Sequence, residues 1–340
     1  MGLNTNFTLL TVFCVILIAF TFPNNGYSQG DGPLTYPLTP ANITVINPTY
    51  INLTNNLTPG KDIVLAQGKI DMDVFALPIF HTFKLGGTYA QIFLTPQYGH
   101  MTGTVKVGGN FGYEGISIPE TEIELVDKSG WLDSGLLFRV GLYNTPPLDV
   151  IEFMKWKPKF QLSGLLGITA PIGKYSESNR INLGSNRWVI RLGAPMVIPL
   201  NLNKKRHAQT EFTPSVLFFT NNNKPFIGDT KRQKPLLLLE QHTTKYFTDK
   251  LWLGIDARYQ LGGVTQIDDL PKGEQIDQLS AGVSVGYDFL SILSIQASYG
   301  RIWFNGDNGN MFRIVGSLVI PSKKDIKKLK ELQQKQQANQ

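Results

Sequence analysis

From Leu251 to Leu261 every second residue is apolar or aromatic (Leu251, Leu253, Ile255, Ala257, Tyr259, Leu261), and Trp252, Gly254, Asp256, Arg258, Gln260 and Gly262 lie between them. Side chains alternate across a strand, so this is one long strand with an apolar face and a mostly polar or small one. The pattern returns as Leu279, Ala281, Val283, Val285 and Tyr287, and again as Leu293, Ile295, Ala297 and Tyr299, each interleaved with Ser, Gln or Gly. Strands of soluble sandwiches average about five or six residues, whereas a tilted strand crosses a bilayer in about 9 to 11. The pattern therefore predicts an all-β fold, a transmembrane antiparallel up-and-down β-barrel.

Read through the whole chain, the alternation gives about twelve strands, near 43 to 55, 69 to 84, 88 to 105, 131 to 143, 158 to 172, 187 to 201, 206 to 220, 235 to 247, 251 to 262, 276 to 288, 293 to 304 and 311 to 321. Their connections alternate in length. Tight ones fall at Leu85 to Gly87, Asn203 to Lys205, Thr248 to Lys250 and Phe289 to Ile292; long ones fall at 107 to 130, 173 to 186, 221 to 234 and 263 to 275. Short periplasmic turns, long outer loops and an even strand count put both barrel ends on the periplasmic side. The connection 144 to 157 is the exception: Leu148, Ile151, Phe153, Met154 and Trp156 suit one or two amphipathic turns at the barrel mouth or the lipid interface.

Residues 1–28 read as a signal peptide, with an apolar run from Leu9 to Phe22, turn formers at Pro23 to Asn25 and a small-residue site ending at Ser28. Cys14, the one cysteine, lies inside it, so the mature chain offers no disulfide or thiolate chemistry. A Gly/Pro-rich lead-in (29–42) precedes the barrel (43–321), and a basic Lys/Gln-rich periplasmic tail (322–340) follows. The net charge of +6 is concentrated in that tail, where six lysines face two carboxylates; the rest carries only +2, so charge gives no argument for nucleic acid.

Strand parity assigns the faces. Charge on the lipid face costs roughly 2–4 kcal/mol for Arg or Lys at the bilayer midplane, so Asp71, Asp73, Asp133, Arg139, Arg187, Arg191, Glu211, Glu240, Asp256 and Arg258 are expected to line the pore. Tyr143, Trp188, Phe218, Tyr246, Tyr259, Tyr287, Tyr299 and Trp303 stand near strand ends, as interfacial girdles require, although Tyr143 and Tyr246 have lumen parity.

Several stretches resemble the MetA-pathway phenol-degradation family of outer-membrane barrel proteins, often labelled transporters. They are Ile70-Asp71-Met72-Asp73 with Leu77-Pro78, Ala170-Pro171-Ile172-Gly173-Lys174-Tyr175, Phe218-Phe219-Thr220, Gln260-Leu261-Gly262-Gly263 and, most specifically, Ile181-Asn182-Leu183-Gly184-Ser185-Asn186-Arg187-Trp188. The resemblance implies a bacterial outer-membrane barrel passing small solutes, aromatic or hydrophobic ones among them. Its partners would be outer-membrane lipid, small-molecule solutes and the barrel assembly machinery. One departure is the end of the last strand, where Ile320-Pro321 and a Lys/Gln tail replace a terminal aromatic residue.

No cofactor or metal motif stands in a suitable context, and His81, His100, His207 and His242 fall on four separate predicted strands. The reading is therefore a channel and not an enzyme. Two alternatives remain: a structural or ligand-binding barrel with a closed lumen, and an outer-membrane esterase or phospholipase. For the latter His242, with Glu240 nearby, is the best base, although parity turns both away from lipid.

Overall fold

The computed structural model describes residues 30–54, 67–110, 117–200, 208–270, 272–273, 275–304 and 309–338. The expected signal peptide and the turn at Asn203 to Lys205 lie outside them. Twelve antiparallel strands form the barrel. They are β1 (Thr44–Ile46 and Thr49–Thr54), β2 (Gln67–Ala76 and Ile79–Leu85), β3 (Thr88–Thr95 and Gln97–Asn110), β4 (Ser117–Trp131 and Ser134–Tyr143), β5 (Gln161–Ala170) and β6 (Val189–Gly193 and Met196–Pro199), followed by β7 (Ala208–Phe219), β8 (Leu236–Tyr246), β9 (Leu251–Gly262), β10 (Ile276–Leu290), β11 (Leu293–Phe304) and β12 (Asn310–Ile320). Each pairs with its neighbour, and β12 returns to β1 through Thr44↔Ile320 and Asn310↔Thr54, which closes the ring. Closure leaves no unpaired edge, the condition for a sheet to stand in hydrocarbon.

The short breaks inside β1, β2, β3 and β6 fall at Pro48, Pro78, Pro96 and Pro195, residues with no N–H to give the ladder. Pairing of β1 with β2 continues in unchanged register, with Ile46↔Ile79 and Thr49↔Ala76 on the two sides of Pro48 and Pro78, whereas β3 and β4 shift by one residue across Pro96, from Thr95↔Gly135 to Tyr98↔Trp131. The register is the one the alternation demands. Glu240↔Arg258 and His242↔Asp256 face one another on β8 and β9, inside the wall, while Ile255 and Tyr299 are exposed outside it. Single cysteines at 257, 258 and 259 should accordingly label in alternation. Positions 257 and 259 should react with a lipid-soluble maleimide and 258 only with an aqueous one; the reverse result would place the register one residue out.

Three expectations are corrected. The connection 107 to 130 is mostly strand: β3 runs to Asn110 and β4 begins at Ser117, paired from Tyr98↔Trp131 to Asn110↔Ser117. This part of the wall rises past the bilayer, as a row of four outward aromatics shows. Tyr50, Phe75, Tyr98 and Trp131 are paired neighbours on β1 to β4, with Tyr50 5.3 Å from Phe75 and Tyr98 5.7 Å from Trp131 between ring centroids. The next outward row is polar: Asn52, Asp73, His100 and Ser129. Asp73 accepts hydrogen bonds from Tyr50 Oη (2.6 Å) and Asn52 Nδ2 (2.8 Å), and His100 Nδ1 bonds Ser129 Oγ at 2.6 Å. Beyond it come Thr54, Asp71, Thr102 and Asp127. An aromatic girdle with polar rows beyond it marks the membrane boundary.

Asp71 and Asp73 therefore point outward, on the parity of exposed Phe75, and do not line the lumen. Lipid excludes carboxylates only within its thickness, and here the strand has left it. The inner face of the same rows is apolar: Ile70, Met72, Val74, Met101 and Val126 are buried in one cluster. The amphipathicity of β2 to β4 thus reverses at the girdle, from apolar outside in the membrane to apolar inside above it. The third correction is Tyr143. A bulge between Gly141 and Tyr143 turns its ring to the exposed outer surface, beside Phe160.

The short-turn end carries two helices, α1 (Val150–Lys155) and α2 (Lys323–Ala338). Asp149 caps α1, accepting from Ile151 N and Glu152 N while the Glu152 carboxylate accepts from Asp149 N, a complete capping box. Ser322 Oγ accepts from Asp325 N to start α2. The tail is thus helical and outside the barrel wall, and Lys328 Nζ pairs with Asp149. That contact holds the Asp149 carboxyl below the usual carboxylate range and raises Lys328. Among the described residues no helix is long and apolar enough to cross a membrane.

Candidate functional site: an occupied lumen

The chain before β1 turns into the barrel. Gly30 to Leu38 lie among inward side chains of six strands, β4 to β8 and β12, and the wall holds their backbone at several points. Glu211, 0% exposed on β7, accepts from Leu34 N at 2.7 Å with one oxygen and from Tyr36 N at 3.0 Å with the other. Gln161 Oε1 on β5 accepts from Leu38 N (3.0 Å), Glu240 Oε2 on β8 accepts from Asp31 N (3.1 Å), and Arg313 Nη1 on β12 donates to Gly30 O (3.2 Å). Where the chain leaves the lumen, Ile43 N donates to Thr82 Oγ1 on β2 and Ala41 N to Leu148 O before α1. The 144-to-157 connection thus abuts the mouth that the segment enters.

Two backbone features let the segment fit. Gly32 has φ +90° and the Arg313 guanidinium stands 1.9 Å from where a Cβ would be, so glycine alone fits that position. Leu34 has φ +59°, a left-handed conformation costing a leucine roughly 1–2 kcal/mol. Its N–H is the one that makes the 2.7 Å bond to Glu211.

The side chains of the segment complete a charged network. Asp31 Oδ1 pairs with Arg191 Nη1 at 2.8 Å, and Tyr36 Oη donates to Asp31 Oδ2 at 2.6 Å. Arg191 also approaches Glu240 (3.8 Å), and Glu240 meets Arg258 (3.5 Å). The Tyr36 ring packs on Leu165, Val197 and Leu137. Arg139, 1% exposed, lies with its guanidinium carbon 5.5 Å from the Tyr36 ring centroid and 5.4 Å from that of Tyr89, while Nε donates to Ser163 Oγ. Such stacking is worth about 2 kcal/mol or more when desolvated.

Six of the ten expected pore residues thus form the inner lining around this segment or next to it: Arg139, Arg191, Glu211, Glu240, Asp256 and Arg258. Asp256 bonds His242 Nδ1 at 2.6 Å and accepts from Ser284 Oγ at 2.5 Å. Charges of both signs stand on neighbouring strands, and Arg191 pairs at 2.8 Å with Asp31 of the lead-in. Sequence reasoning did not assign Asp31, Tyr36, Tyr89 or Arg313, although strand parity turned Gln161 inward. For Arg313 the signal was available, since it alternates with Phe312 and Ile314; for Asp31 it was only a Gly-Asp-Gly-Pro run.

Asp133 and Arg187 serve a second closure at the long-loop end. Asp133 Oδ1 accepts from Gly173 N (2.9 Å), and Oδ2 from Ser185 N (2.7 Å) and Ser185 Oγ (2.5 Å). Gly173 and Gly184 touch so closely that a Cβ on either would lie 2.7 Å from the other's backbone. Asn182 ties the loop to itself, accepting from Ser176 N and donating to Ser176 O and Asn179 O. Arg187 donates to Gln233 and lies over the Phe219 ring. The loop so held inserts Ile181 and Leu183 into the apolar inner face above the girdle. The most specific stretch of the sequence, Ile181 to Trp188, is therefore this loop's locking element.

The His242–Asp256–Ser284 contacts do not form a hydrolase triad. The serine bonds the carboxylate, His242 Nε2 has no partner among the described residues, and all three are buried inside the wall. No group of His, Cys, Asp and Glu that could hold a metal occurs among the described residues.

Among solved structures the chain resembles the COG4313 outer membrane channel from Pseudomonas putida F1, at 20% identity and a TM-score of 0.62, over 85% of this chain and 99% of that one. More distant likenesses include the translocator domain of the autotransporter NalP from Neisseria meningitidis (11% identity, TM-score 0.44, covering 94% and 98%) and a Pseudomonas aeruginosa FadL homologue (12%, 0.39, 86% and 99%). No curated protein matches the sequence. A closed barrel of twelve strands with this girdle is a bacterial outer-membrane protein. The family model described as "Putative MetA-pathway of phenol degradation" matches residues 55–312, and the chain belongs to that family.

Proposed function

We propose that the protein is a gated outer-membrane channel for small solutes, closed in this state by its own residues Gly30 to Leu38. The observation that carries this reading is the lining. Buried Arg139 and Arg313 and half-buried Arg191 and Arg258 face buried Glu211, Glu240 and Asp256 in the barrel interior, and what they hold is a strand-free stretch of chain and not a packed apolar core. Charged rings of this kind set the electrostatics of a pore. A barrel of about eight strands is filled by its side chains and one of 16 to 18 leaves a channel, so twelve strands leave room that the segment occupies. Both barrel ends and the short turns lie at one end, the periplasmic end in this class, so the segment enters from the periplasm. Small aromatic or hydrophobic solutes, outer-membrane lipid and the barrel assembly machinery complete the setting. The protein is read as a non-enzyme.

In a planar bilayer with a salt gradient the protein should give discrete conductance steps of weak ion selectivity. Arg191→Ala or Arg258→Ala should leave Glu240 less compensated and move the reversal potential toward cation preference. An unchanged potential in both variants, with conductance retained, would remove these arginines from the ion path. Absence of any step, in the whole chain and with residues 30–38 removed, would favour instead a structural or ligand-binding barrel with a closed lumen.

A further inference from the structure

The way the segment is gripped says what else the lumen can grip. Asp31 brings a carboxylate to Arg191 at 2.8 Å, in a place where Arg258 and Arg313 also converge and Glu240 is the wall carboxylate in contact with Arg191 and Arg258. On the same wall Nε and Nη2 of Arg313, Nη2 of Arg191 and Nε of Arg258 are buried and have no hydrogen-bond partner among the described residues, against one carboxylate oxygen, Glu240 Oε1. Arg313 is 6% exposed. Buried donors in excess of acceptors favour an anion. Next to that carboxylate stands a ring: Tyr36 lies on the Arg139 guanidinium and on Leu165, Val197 and Leu137, and its hydroxyl is 2.6 Å from the Asp31 carboxylate. The segment thus presents an arene and a carboxylate side by side, one to a stacked arginine in an apolar niche and the other to a paired arginine.

We infer that the lumen contains a binding site for small aryl carboxylates, formed by Arg191 and Arg139, and that Tyr36 and Asp31 occupy it when the segment is in place. This rests on the channel reading and narrows it to a class of solute. A solute with both groups competes with the segment for the same two arginines, so its arrival favours the open lumen. A carboxylate without a ring would use Arg191 alone, and a ring without a carboxylate would use Arg139 alone. Each charge-assisted hydrogen bond lost should weaken binding about tenfold or more.

The test is calorimetric titration of the purified full-length barrel, its folding checked by heat-modifiable migration, with phenylacetate as the probe and acetate and benzyl alcohol as half-probes. Asp31→Ala, here always combined with Tyr36→Ala so that both the Arg191 and the Arg139 positions are vacated, should bind phenylacetate at least about tenfold more tightly than the parent. Adding Arg191→Gln to it should reverse the gain, and Arg191→Lys should fall between. Acetate and benzyl alcohol should each bind Asp31→Ala about tenfold or more weakly than phenylacetate. A folded Asp31→Ala barrel that takes up no phenylacetate, or that binds benzyl alcohol as well, overturns the proposal. So does binding that survives Arg191→Gln. Conductance of the same preparations separates the two readings: an Asp31→Ala barrel that conducts without binding refutes the site and leaves the channel, whereas one that binds without conducting refutes the channel and leaves the site.

Discussion

Glu211→Ala should convert a barrel that is mostly closed into one that is mostly open. The Glu211 carboxylate accepts two backbone N–H groups of the segment, from Leu34 and Tyr36, and is fully buried while doing so. A hydrogen bond to a charged group contributes about 1.5–3 kcal/mol, so the pair accounts for at least about 3 kcal/mol of the segment's hold, and tenfold in an equilibrium is about 1.4 kcal/mol. Losing both bonds should raise the ratio of open to closed barrel by roughly two orders of magnitude. Glu211→Gln keeps one acceptor oxygen and should lie between. Open probability in single-channel records measures this directly. Equal open probabilities in the parent and both variants would mean that the segment is held by other contacts or does not move.

What the sequence made legible is the membrane part of the wall. Within Leu251 to Leu261, Leu279 to Tyr287 and Leu293 to Tyr299 the alternation holds because one face meets lipid and the other the lumen, two environments with opposite demands at every second residue. Parity alone therefore placed Arg139, Arg191, Glu211, Glu240, Asp256 and Arg258 inside. It failed at Asp71 and Asp73, where the strand had passed the girdle into water and the outer face was free to be polar; a carboxylate then carries no information about which side is the lumen. The row Tyr50, Phe75, Tyr98 and Trp131 marks the crossing, but it comes from four strands whose register only the fold supplies.

The occupation of the lumen was harder to read, for a physical reason. The segment that enters has no periodicity, since it is held by side chains reaching its backbone and not by a ladder. A Gly/Pro-rich stretch of that kind reads equally well as a linker. The loop from Gly173 to Arg187 posed the opposite case: its residues were specific enough to carry the family resemblance, yet their work became visible only when Asp133, 40 or more residues earlier, was seen to accept three of its hydrogen bonds.

The largest effect of all should follow from removing the segment itself. Without residues 30–38 the wall keeps every strand and every cross-strand pair, because none of these residues belongs to the ladder. It loses the ring of Tyr36, the carboxylate of Asp31 and the backbone that Glu211, Gln161, Glu240 and Arg313 grip. The barrel should fold and migrate as heat-modifiable protein, and Arg191, Arg258 and Arg313 should then face open water with one balancing carboxylate fewer. The measurement that tests the account most directly is the single-channel conductance of this deletion beside the full-length chain, in one bilayer composition and one salt. The account predicts long-lived open steps several-fold larger in the deletion, with a shift toward anion preference from the loss of Asp31, and brief or small openings in the full-length chain. Equal conductance and equal selectivity in the two proteins would contradict it.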